Sequence, residues 1–136
     1  MSKTETAQDF SAFLLSPTGR VEINLPNGDP MLYEGQPVAV HVFAPASAEY
    51  ARAEAAMQRA ARDKLLSGKR GKAADAEDND EHNARFLVAV TSSIENFPYP
   101  GGPEAIYRQR GLMYIGEQVR AFLGDQGNFF KGSKKS

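Results

Sequence analysis

His41 and His82 are the chain's two histidines, and near neutral pH they are the side chains best suited to proton transfer or metal ligation. His41 falls in a run where Val38, Val40 and Val42 alternate with Ala39, His41 and Phe43, so it occupies the strand face opposite the valines. No third group stands at a readable spacing to make it a catalytic base, and a structural or surface histidine is the simpler reading. His82 lies in Asp78-Asn79-Asp80-Glu81-His82-Asn83, the raw material of an Asp and His metal site. That segment lacks the fixed glycine and closing glutamate of a calcium loop, and a solvated charged run accounts for it. Ser47, Ser92 and Ser93 have no Gly-x-Ser-x-Gly context. Gly68-Lys69-Arg70-Gly71-Lys72 has neither the spacing of a phosphate loop nor a buried strand before it, and Pro100-Gly101-Gly102-Pro103 reads as a turn. There is no cysteine, which removes disulfides, thiol nucleophiles and thiolate metal sites together. The expectation is a protein without catalytic residues, metal or cofactor.

The elements that position these residues follow from length and periodicity. A chain of 136 residues with 41% hydrophobic content builds one modest core. A net charge of −1 demands neither nucleic acid nor an anionic membrane as partner. Arg52, Arg59, Arg62, Lys64, Lys69, Arg70 and Lys72 form a basic stripe, but the acidic block after it partly cancels its field, and a salt-bridged solvent face accounts for it better than a nucleic-acid interface. The first ten residues are too polar for a signal peptide and the apolar runs too short for a membrane span, so a soluble intracellular protein is expected.

An α+β fold is predicted, with an N-terminal antiparallel β-meander followed by three to four α-helices. Val21, Ile23 and Leu25 alternate with Glu22 and Asn24, Pro26-Asn27-Gly28-Asp29-Pro30 turns, and Met31-Leu32-Tyr33 returns; with the valine strand these place strands over about 19–44. Ser47 is the N-cap expected for a first helix with Tyr50, Ala53, Met57, Ala60, Ala61 and Leu65 at helical spacing. Residues 67–81 carry a basic and then an acidic block without a large apolar residue, and read as a mobile charged linker that folds in part at its acidic end, where carboxylates favour a helix start. A second helix is expected over about 81–96, its stripe Phe86, Leu87, Val90, Ile94 and Phe97, with Ser92 and Ser93 bonding back to the preceding turn. A short helix starts at Pro103, and a last one carries Leu112, Ile115, Val119, Phe122 and Leu123 before Gly124. One domain over 10–130 is expected, flanked by flexible segments 1–9 and 131–136.

Apolar recognition is the remaining chemistry. Phe129 and Phe130 stand just ahead of the basic tail, and either cap the core or join the Phe122 and Leu123 face as a surface for another chain. Tyr50 and Met57 on the alanine-rich helix complete the candidate partner-binding set.

An ordered set of segments resembles the tail assembly chaperones of long-tailed, siphovirus-like bacteriophages. Pro26-Asn27-Gly28-Asp29-Pro30-Met31-Leu32-Tyr33 comes first, then Gln36-Pro37-Val38-Ala39-Val40-His41-Val42-Phe43-Ala44-Pro45-Ala46-Ser47 running into an Ala- and Arg-rich helix and a charged linker. Glu95-Asn96-Phe97, Gly102-Pro103-Glu104-Ala105-Ile106-Tyr107, Ile115-Gly116-Glu117-Gln118-Val119 and Phe122-Leu123-Gly124-Asp125-Gln126-Gly127-Asn128-Phe129 follow, and together they span about 15–130. The resemblance implies a non-enzymatic protein of the host cell cytoplasm, absent from the mature virion. It implies binding of the tape measure protein, which is kept soluble, and recruitment of tail tube subunits, mainly through a longer frameshifted form, with self-association as a further property. This chain would be the short form, and Lys134-Lys135 are residues that an A-rich slippery run could encode. The competing expectation is a structural component of the virion, a tail or head-completion protein; a small enzyme or nucleic-acid binder is a third class.

Overall fold

The computed structural model describes residues 13–67 and 72–130, with side chains described outside 67 and 72–79. The flexible ends expected at 1–9 and 131–136, and residues 68–71 of the expected linker, lie outside the described residues.

The fold is mixed α+β, with an antiparallel sheet and four α-helices among the described residues. Strand β1 (Thr18–Glu22) bonds β4 (Ala39–Phe43), with Val21 opposite Val40, and β2 (Leu32–Tyr33) and β3 (Gln36–Pro37) make a separate hairpin between them. The chain stays paired through the excursion: the Ile23 amide donates to the Val38 carbonyl and the Met31 amide to the Ile23 carbonyl. Alternation explains the burial, since Val21, Ile23, Val38, Val40 and Val42 all turn inward. The β2–β3 turn carries Glu34 at φ 53° and Gly35 at φ 81°, two consecutive positive values that suit a tight hairpin.

Helix α1 (Ala48–Ser67) starts where its cap predicts: the Tyr50 amide donates to Ser47 Oγ at 3.1 Å, and Ser47 Oγ donates to the Ala44 carbonyl at 2.7 Å. Helix α2 (Lys72–Val90) begins at Lys72, so helix covers most of the stretch expected to be linker. Alanines and charged residues carry enough helix propensity to continue the helix without a large apolar residue.

The helix expected to run on to about 96 stops at Val90, and Thr91–Glu95 forms strand β5 instead. Thr91, Ser92 and Ser93 are poor helix residues in succession. Thr91 Oγ1 donates to the Leu87 carbonyl at 2.7 Å, and Ser92 Oγ reaches across to the His41 carbonyl at 3.3 Å rather than back along the helix. Pairing then outweighs periodicity: β5 lies antiparallel to β4 with Ile94 opposite Val40, completing the sheet order β1-β4-β5. Val90 and Ile94 are spaced for one helix face and are also packed where a helix hands over to a strand, so spacing alone does not separate the two outcomes.

Helix α3 (Gly102–Arg108), opened by Pro103, and α4 (Met113–Leu123) pack with α2 on the valine face, burying Phe86, Leu87, Val90, Ile106, Ile115, Val119 and Leu123. Gln118 fastens α4 to the end of the first strand, accepting from the Asn24 amide at 2.8 Å and donating to the Asn24 carbonyl at 2.7 Å. A 3-10 turn, Gln126–Phe129, brings the chain back beside β1.

Candidate functional site

The structure divides the predicted partner-binding residues between two regions. Phe129 is 2% exposed and Leu123 is buried, both inside the core. Phe122 meets Phe129 edge to face at 5.1 Å between ring centroids, and a Cβ on Gly19 would stand 2.6 Å from Phe129 Cε1 and 2.9 Å from Phe122 Cε1. The Ser16 amide donates to the Phe129 carbonyl at 2.6 Å, and Leu15 bridges Phe130. Phe122 and Phe130 are half-buried. The aromatic end is therefore built into the fold, clamped against β1, with Leu123 and Phe129 buried in the core.

Tyr50 and Met57 lie elsewhere, on the face of α1 that meets α2. Tyr50 packs edge to face on Phe86 with centroids 5.4 Å apart, and burial pushes its phenol pKa up, Glu54 adding to the effect and Arg120 opposing it. Early residues of α1 thus meet late residues of α2, and the two helices run antiparallel. Contact weakens along α1: Ala53 is buried and Met57 half-buried, whereas Ala61 is exposed and Leu65 and Leu66 are 68% and 78% exposed. The stripe expected to bury Ala61 and Leu65 buries only its first half. Alanines at the contact leave space, and an apolar groove of about 250 Å³ opens between the helices. Helix α1 contributes Ala53, Ala56, Met57 and Ala60, and α2 contributes His82, Arg85, Phe86 and Ala89. Sequence reasoning named Tyr50 and Met57 as binding residues and read Ala53 and Ala60 as part of a packing face; that this face opens a groove shows only once α2 is set against it.

Two polar clusters were missed because strand and helix pairing assembles them from distant positions. On the outer face of the sheet, Arg20 Nε and Nη2 donate to the Glu95 carboxylate at 3.0 Å each, and His41 Nε2 lies 2.8 Å from Glu95 Oε1. The Arg20 guanidinium and then His41 hold the Glu95 carboxyl down to about 2, so it is a weak base suited to tying three strands together. The alternation of polar residues along β1 and β4 was the available signal. On the helical side, a cleft of about 410 Å³ lies between α2, α3 and α4. Glu81 binds Arg108 at 2.7 Å, Asp80 binds Arg110 at 2.9 Å, and Arg120 donates to Asn83 at 3.2 Å. Arg108 is the main cause holding Glu81 at about 2, and burial pushes Tyr107 up to about 12 although its hydroxyl contacts Thr91 at 2.7 Å. These pairs fasten α2 to the rest of the molecule, and neither Glu81 nor Tyr107 exchanges protons near neutral pH.

Among the described residues no cluster of three or more His, Cys, Asp and Glu side chains is placed to hold a metal ion, and no helix is long and apolar enough to cross a membrane. No protein-family model, curated protein or solved structure matches the chain.

Proposed function

We propose that this chain is a tail assembly chaperone of a long-tailed phage. In this reading it binds the tape measure protein in the host cytoplasm, keeps it soluble, helps recruit tail tube subunits and is left out of the finished particle. The observation that supports it is the α1–α2 hairpin, with an apolar groove along its contact and Leu65 and Leu66 standing in solvent near its end. A long apolar helical client needs contacts of this kind, which cover apolar surface without demanding one sequence. The work is binding, with no chemical step.

Co-expression with the tape measure protein of the same genome tests it. The tape measure protein should move from the pellet to the supernatant and co-elute with this chain. An insoluble client in the presence of abundant chain would overturn the reading. Mass spectrometry of purified particles separates it from a structural role: stoichiometric recovery of this chain in virions would make it a tail or head-completion subunit.

A further inference from the structure

We propose that the α1–α2 groove receives one helix of the partner chain, apolar along the stripe it buries and acidic along both margins. The inference rests on the binding role above and adds the chemistry of the segment bound. The floor of the groove is apolar, formed by Met57, Phe86 and alanines, and among the described residues no carboxylate lines it. Its α2 margin presents His82 and Arg85. Arg85 shares the Glu81 carboxylate at 3.3 Å with Arg108, which holds it at 2.7 Å, and the Arg85 side chain stays 63% exposed. Its α1 margin presents Arg52 and Arg59, four residues before and three after Ala56 and so on the adjoining face of the same helix. Both arginines are exposed, and neither takes part in an ion pair among the described residues. Glu49 and Asp63 stand toward the two ends of this face, so among the described side chains the middle carries Arg52 and Arg59 on one side and Arg85 on the other. A floor of alanines lets a third helix approach closely. Lysine or arginine along the margins of that helix would meet like charge, whereas glutamate or aspartate would be steered in and paired.

Two designed amphipathic helical peptides with one shared leucine and alanine stripe test this, one carrying glutamate on both margins and the other lysine. Fluorescence anisotropy with the full chain should show the glutamate peptide binding about tenfold or more tightly. Ala60→Trp, which fills the groove, should abolish that binding. Arg52→Glu/Arg59→Glu should remove or reverse the preference; both positions are exposed, so circular dichroism should report an unchanged fold. Equal affinities, undiminished binding to the filled groove, or self-association that Ala60→Trp abolishes would each overturn the proposal, the last by making a second copy the occupant. The two readings fail separately. Equal solubilisation of the tape measure protein by wild-type and Ala60→Trp chains removes the groove and leaves the chaperone; the predicted peptide preference with an insoluble tape measure protein does the reverse.

Discussion

Glu81 and Glu95 are held near pKa 2 by arginine, against 4.5 for an ordinary glutamate, and this gives the fold a defined acid sensitivity. A carboxylate with a depressed folded-state pKa adds stability above its unfolded value, because the unfolded chain takes up the proton first as the pH falls. That contribution is present above about pH 4.5 and drains away as the pH drops toward 2. Both side chains are about two-fifths exposed, at 40% and 39%, so solvent screens their pairs and the effect is modest. Urea midpoints measured across this window should fall with pH in the wild type and fall less steeply in Glu81→Gln and Glu95→Gln. The two aromatics at the C-terminal end should part company. Phe129→Ala opens a cavity in the core and should cost about 3–5 kcal/mol, whereas Phe130→Ala, at a half-buried site, should cost clearly less in the same denaturation experiment. Equal costs would contradict the burial difference.

Among the elements, those whose burial has one period were legible from sequence. The alternating valines of β4 gave the central strand, Ser47 gave the start of α1, and Gly124 the end of α4. The second helix was misjudged at both ends for opposite reasons. Its start carries alanines and charges whose helix propensity is visible only when weighed apart from hydrophobicity, and its end carries a stripe that fits helix and strand alike, decided by pairing with β4. Asn96 belongs to the same class: at φ 60° it turns the chain out of β5 while its amide donates to the Tyr33 and Gln36 carbonyls at 2.9 Å each, tying the β2–β3 hairpin to a residue some sixty positions away. The candidate site was half legible, because Tyr50 and Met57 show as large residues at helical spacing whereas the groove is made of what alanine leaves empty. Leu65→Ser/Leu66→Ser should leave the unfolding midpoint within about 0.5 kcal/mol of wild type, since neither side chain is buried. It should also lower the yield of soluble tape measure protein on co-expression, the readout a merely structural role would not move.

At the scale of the whole molecule, the sheet with α3 and α4 is one well-tied layer pair; Phe13, Leu14, Leu32 and Met113 are exposed elsewhere, and the α1–α2 hairpin combines the exposed Leu65 and Leu66 with an apolar groove. The arginine pairs at Asp80 and Glu81 hold the hairpin to that base, and the aromatic end is spent on the core beside β1. On the proposed chaperone reading, partner binding falls on the hairpin and away from the C-terminal aromatics. Hydrogen–deuterium exchange on the chain alone and in complex with the tape measure protein tests this most directly. Slowed exchange concentrated in 53–60 and 82–89, with 122–130 unchanged, is the predicted result. Protection at 122–130 with none along the hairpin would contradict it.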